Sequence, residues 1–200
     1  MADAFVDVFC EDAGHEAFLR ALLTRLSLEE GVGLQQNFIS GRGGAGKAIT
    51  ELKGHQARAS RRGARSDLLV VLIDSNCVGR ARKRKEIDQV VREEAYLTTA
   101  VGCPDPHVER WMFADPLAYR DLIGGNPPAD PGKCDRDVYK KLLADSFEEH
   151  GFYTTTGPME AATDLVPMMR LHNKLPSASQ SLKSFVGDLQ AALKRLRTLS

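Results

Sequence analysis

The stretch Asp67-Leu-Leu-Val-Val-Leu-Ile-Asp74 constrains this chain more than any other. An unbroken run of leucine and β-branched residues is the pattern of a strand buried on both faces, which is the state of a central strand in a parallel sheet. Parallel neighbours require long crossovers, usually helical, so one such strand predicts an alternating strand and helix order around it. The acid that ends the run falls at the carboxyl edge of the sheet, where α/β proteins gather their functional groups.

The flanking sequence supplies that alternation. Ala4 to Cys10 reads as a strand, followed by apolar residues at helical spacing (Phe18, Leu19, Leu22, Leu23, Leu26). Leu34 to Ser40 reads as a second strand, running into GRGGAGK and a helix over Lys47 to Ser60. Arg80 to Tyr96 reads as a polar helix and Leu97 to Val101 as a further strand before the Cys103-Pro-Asp-Pro106 turn. Beyond Pro106 the strand signal fades: HVERWMFAD, Asp135 to His150, Pro158 to His172 and Ser179 to Leu199 all carry helical spacing, and GGNPPADPGK reads as a loop. The expected organisation is an α/β core over 1–122 with a helical extension over 123–200 packed on it.

With 42% hydrophobic and 27% charged residues, the chain has the composition of a folded globular protein, which excludes wholesale disorder. Its 27 basic residues balance 27 acidic ones, so net charge carries no nucleic-acid signal and only local clustering can. No apolar run reaches the roughly 20 residues of a membrane helix and the N-terminus lacks a basic signal, so a cytoplasmic protein with no membrane partner is expected. Cys10, Cys77, Cys103 and Cys134 are widely spaced, without a zinc pattern, and disulfides are not expected. The five histidines show no H-x-x-x-H or H-E-x-x-H pairing, and there is no G-x-S-x-G elbow.

Four constellations carry chemistry. Gly41 to Lys47 satisfies G-x-x-x-x-G-K, but Ala48 replaces the hydroxyl that a phosphate loop uses for magnesium, so a nucleotide-hydrolysing reading is weak and a backbone contact to phosphate through Arg42 and Lys47 is an alternative. Glu11, Asp12 and Glu16 follow the first strand, and Asp74 and Asn76 follow the central one. Such acids either cap the next helices or hold a hard divalent cation between them. Basic residues cluster at Arg42, Lys47, Lys53, Arg58, Arg61, Arg62 and Arg65, then at Arg80, Arg82, Lys83, Arg84 and Lys85, as a solvated face or a polyanion contact. Pro106-His-Val-Glu109-Arg-Trp111 offers a further acid, Glu109, beside the only tryptophan, whose expected place is the core.

The order of VFCEDAGHEAFLRALL, GRGGAGK, LLVVLIDSN, the Pro106 to Asp115 stretch and the late SQSLKSFVGDL resembles the small stand-alone Toprim-like proteins related to the OLD-family nucleases, the type encoded beside ABC-type ATPases in anti-phage defence loci. The resemblance covers most of the chain. It implies an α/β, Toprim-like (Rossmann-like) parallel sheet flanked by helices with a mainly helical C-terminal portion. It further implies Mg2+- or Mn2+-dependent hydrolysis of nucleic-acid phosphodiester bonds and an ATPase partner. Glu11 and Asp74 take the places of the Toprim glutamate and the first acid of its D-x-D pair, hence catalytic metal ligands, with Asn76 and Glu16 secondary and Glu109 an additional acid. Arg42, Lys47, Arg82 and Lys83 would position the nucleic-acid backbone. Three positions depart from the pattern: Asp12 for glycine, His15 for an acid, and Asn76 for the second acid of the pair. They keep a rival open, a non-catalytic Toprim scaffold that binds the ATPase or nucleic acid.

Overall fold

The computed structural model describes residues 3–41, 44–62, 66–92, 95–132, 134–135, 137–172, 175 and 179–199, with backbone only at 45, 59–62 and 77. Four strands, β1 (Ala4–Cys10), β2 (Leu34–Ser40), β3 (Leu68–Leu72) and β4 (Thr98–Gly102), form one parallel sheet in the order β2-β1-β3-β4. The register pairs Cys10 with Ser40 on one side and with Leu72 on the other, so the carboxyl ends of the strands lie level. Chain order reverses between β1 and β3: β1 leads outward to β2, while β3 and β4 build the opposite half. A crevice opens at such a reversal, beyond the carboxyl ends of the two central strands.

Both faces of the sheet are covered. Val6, Val8, Cys10, Leu68, Val70 and Leu72 face one apolar cluster, built against α1 (Ala13–Glu30), α6 (Ala162–Met168) and α7 (Gln180–Leu199). Phe9, Leu69, Val71 and Ile73 face a smaller cluster under α2 (Ala45–Arg62) and α3 (Arg80–Asp88), which contribute Leu52 and Ile87. The alternation within β1 and β3 is the period of two that divides a strand between two layers. The remaining helices, α4 (Pro116–Ile123) and α5 (Val138–Glu149), join the first cluster through Tyr119, Leu143 and Phe147. A division at 122 therefore falls inside α4, and the C-terminal helices share one continuous core with the sheet.

Local chemistry sets the element ends. Asp12 caps α1, accepting from the Gly14 and His15 N–H groups (2.8 and 3.0 Å). Gly31, at φ 66°, closes the same helix as its N–H donates to the Leu28 carbonyl and that of Val32 to Ser27, a Schellman pairing. The polar helix expected over 80–96 stops at Asp88, because the buried Gln56 side chain of α2 takes the following backbone: its amide donates to the Val90 carbonyl (3.0 Å) and its oxygen accepts from the Arg92 N–H (2.7 Å). The stretch expected as a helix from His107 is a 3-10 turn over Val108–Phe113, and 158–172 divides into a 3-10 turn and the short α6. Cys10 and Cys103 are buried free thiols, whereas Cys134 is disulfide-bonded, against the expectation from spacing. Sequence spacing says nothing of the separation that folding produces. Among the described residues no helix is long and apolar enough to cross a membrane.

Candidate metal centre at the strand ends

Glu11 follows β1 and Asp74 follows β3, so the two acids flank the crevice between the central strands. The Asp74 N–H donates to Glu11 Oε2 (3.2 Å), which ties the two strand ends together. His15, in the first turn of α1, lies between Asp12 and Asp74: Nδ1 is 2.8 Å from Asp12 Oδ1 and Nε2 is 2.9 Å from Asp74 Oδ1. A helix that starts at Ala13 places residue 15 one turn back over the strand end, so its cap residue and its imidazole meet. Donor atoms of Glu11, His15 and Asp74 all lie within 4.8 Å of one another.

The loop after β4 completes the surround. Its Pro104 and Pro106 carbonyls accept from the Ser75 and Asn76 N–H groups (2.8 and 3.0 Å) and hold the turn that carries Asp74. His107 Nδ1 then lies 3.1 Å from Asp74 Oδ2, and the Val108 N–H donates to Asp74 Oδ1 (2.9 Å). A cavity of about 320 Å³ is lined by Glu11, Asp12, Gly44, Asp74, Asn76, His107, Glu109, Asp137 and Lys140. It adjoins a second of about 480 Å³ toward α1 and the 158–161 turn, with Asp12, Glu109 and Lys140 lining both.

Burial and neighbouring charge divide these groups. Burial alone would neutralise His15, yet the Asp74 and Asp12 carboxylates outweigh it and hold the imidazole well above its ordinary pKa. Burial would likewise raise Asp74, but His15 and His107 keep it below the carboxylate range, and the hydrogen bond to Asp74 raises His107. Asp12 is held low in the same way, its burial outweighed by His15. Glu11 and Glu109 go the other way, raised by burial and by the Asp74 charge. The Cys10 and Cys103 thiols are pushed up to about 11 by burial and are poor nucleophiles.

Of the residues singled out from sequence, the structure brings Glu11, Asp74, Asn76 and Glu109 to one cavity. Glu16 points elsewhere, accepting from Arg20 Nε and Nη2 (2.9 and 2.7 Å). Lys47 is exposed on α2 at 3.8 Å from Glu51, and Arg82 is exposed at 3.6 Å from Glu86. Lys83 is buried with its ammonium 2.8 Å from Glu86. Arg42 and Arg65 lie outside the described residues, as do the side chains of Arg61 and Arg62. Sequence reasoning missed Lys140 and the roles of His15 and His107. His15 had a signal, its place one turn after Glu11, whereas Lys140 comes from a distant helix and had none.

The donor set, two carboxylates and an imidazole at the edge of an open cavity, fits a divalent cation. Compared with protein-family models, curated protein sequences and solved structures, the chain finds no match.

Proposed function

We propose that the protein is a metal-dependent phosphodiesterase acting on nucleic acid, with Mg2+ or Mn2+ as the ion first considered. The observation that carries this reading is the convergence of Glu11, His15 and Asp74 across the crevice between β1 and β3. These three residues would hold the ion, with Asn76 offering a side-chain carbonyl from the cavity wall. A bound divalent cation supplies a water of lowered pKa and neutralises charge on a phosphoryl oxygen. The chain does the rest. Lys140, at the junction of the two cavities, positions a phosphate. Glu109, whose pKa burial and the Asp74 charge raise, lines the same cavity and is the group assigned to give a proton to a leaving oxygen. Gly44 brings the N-terminus of α2 to the same cavity, where backbone N–H groups favour an anion. Lys47 and Arg82, exposed on α2 and α3, extend the contact to a longer polyanion.

The resemblance adds an ABC-type ATPase partner, the chain acting as the effector subunit in anti-phage defence, in the cytoplasmic setting expected from the sequence. The test is cleavage of labelled DNA and RNA by purified protein, with added Mg2+ or Mn2+ and with chelator. Glu11→Gln and Asp74→Asn serve as controls whose folding is checked by circular dichroism. Ion-dependent cleavage lost in both variants is expected; cleavage that persists in chelator or in both variants overturns the proposal.

A second reading, a non-catalytic Toprim scaffold that binds the ATPase, is favoured by one feature: three hydrogen bonds already satisfy Asp74, and His15 matches its charge. It predicts co-purification with the ATPase that Glu11→Gln leaves unchanged, and no cleavage of any substrate.

A further inference from the structure

We propose that His15 is itself a ligand, through Nε2, with Asp12 as the outer carboxylate that orients it. The site accordingly takes a borderline transition-metal dication of the Mn2+, Co2+ and Zn2+ class in preference to Mg2+. The inference rests on the metal-dependent reading above and names the ion of that same site.

The geometry differs from an all-oxygen magnesium site. Magnesium sites are built of carboxylate and water oxygens, whereas an imidazole nitrogen raises affinity along the first-row series and leaves magnesium behind. His15 is 1% exposed and its Nε2 belongs to the cluster in which every donor lies within 4.8 Å. It is the only histidine of that cluster among the described residues.

Its other nitrogen has the partner that metal-bound histidines have, a carboxylate. Nδ1 is 2.8 Å from Asp12 Oδ1, and that same oxygen accepts from the Gly14 and His15 N–H groups. Asp12 is therefore fixed by the helix it caps, and the ring is fixed by Asp12. A carboxylate on the far nitrogen sets the tautomer in which Nε2 offers its lone pair and raises its basicity, so that an ion would take the place of the proton now shared with Asp74 Oδ1 at 2.9 Å. Asp12 and His15 thus form one unit, and both stand where the resemblance implies a glycine and an acid. The cavity on the open side leaves room for water or substrate beside the ion.

The experiment is calorimetric titration of the metal-free, full-length protein with Mg2+, Mn2+, Co2+ and Zn2+. It is repeated on Asp12→Asn, which keeps an amide oxygen for the cap, and on His15→Asp, which restores an all-oxygen set. Wild type is expected to bind Co2+ and Zn2+ at least about tenfold more tightly than Mg2+. Asp12→Asn is expected to weaken Co2+ and Zn2+ by about 10- to 100-fold, and Mg2+ by less. His15→Asp is expected to close the gap between Co2+ and Mg2+. Because that variant can fail to fold, ring-nitrogen NMR of the wild type gives a second readout: Zn2+ is expected to move the Nε2 resonance of His15. Magnesium binding as tight as cobalt, or an unmoved His15 resonance while Zn2+ binds, overturns this inference and leaves the metal-dependent reading standing. Failure of every ion to bind wild type overturns both.

Discussion

His15→Ala in the metal-free protein probes the centre most directly. The imidazole is 2% exposed and its Asp74 partner 9% exposed. Removing one member of a buried pair costs about 3–5 kcal/mol, most of it from the charge left behind. Asp74 keeps His107 and the Val108 N–H, which places the loss near the lower end, about 3 kcal/mol. For a domain of this size that is a fall in Tm of roughly 6–12 °C. The pH dependence has a fixed sign. His15 is raised in the folded state, so its contribution is fully present below the unfolded value near 6.5 and is lost as pH rises through the folded value. The gap between wild type and variant, measured by urea unfolding in chelator, is therefore expected to be widest at mildly acidic pH and to narrow on the alkaline side. A gap below about 1 kcal/mol, the size of an ordinary hydrogen bond, or one that does not change with pH, would refute the buried-pair account.

Three further outcomes are expected. Asp115 caps α4 and accepts from the Arg170 N–H and Nε (2.7 and 2.9 Å). Against the burial that would raise it, Arg170 holds this carboxyl at about 2, down from 3.8; with the Arg170 head exposed to solvent, screening leaves about 1 kcal/mol of that as stability. Asp115→Asn, which keeps the cap, should lose about that much in urea unfolding at neutral pH, and Asp115→Ala about 1 kcal/mol more. Both gaps should shrink as pH falls from about 4 toward 2; equal stability of Asp115→Asn and wild type would contradict this. In Gly102→Ala the new Cβ meets Leu72 Cδ1 at 2.6 Å and Phe185 Cγ at 2.9 Å. Overpacking between β4 and α7 should cost about 1–3 kcal/mol in thermal or urea unfolding, and a neutral result would show that α7 is not held against the sheet there. Lys140→Ala should weaken nucleic-acid binding and lower its salt slope by about one, with metal affinity unchanged in the same buffer. An unchanged slope would remove Lys140 from the phosphate contact.

How much of this was legible depended on whether a feature is local. The limits Ala4 to Cys10 and Leu34 to Ser40 recur unchanged as β1 and β2: β1 has its own signal in alternating Phe and Val, and β2, with sparse apolar residues, is marked by the glycines on either side. Adjacency of β1 and β3 placed Glu11 beside Asp74 by parallel packing alone. The end of α3 was not legible, since it depends on Gln56 reaching from another helix. Nor was the behaviour of 107–113, whose helical spacing describes a 3-10 turn that the loop after β4 docks against Asp74. Asp12 serves the bland reading of a strand-end acid, that of a helix cap, and the same oxygen that caps α1 also contacts His15. Two roles on one atom leave no separate trace in a sequence.

The shared apolar core bears on how the chain can be divided. Phe185, Leu189 and Leu193 of α7 and Leu165 and Val166 of α6 lie in the same cluster as Val8, Leu68, Val70 and Leu72 of the sheet and the buried face of α1. A fragment ending near residue 122 would keep every strand, yet it would uncover the β4 side of the sheet where α7 packs and the flank of α1 where α6 packs. It would also lose Lys140 from the cavity. An exposed apolar surface of that extent drives association between copies rather than independent folding. The sheet and the helices that follow it are successive in the chain but built on one core, so a truncation near residue 122 is expected to aggregate and any fusion has to leave both in place.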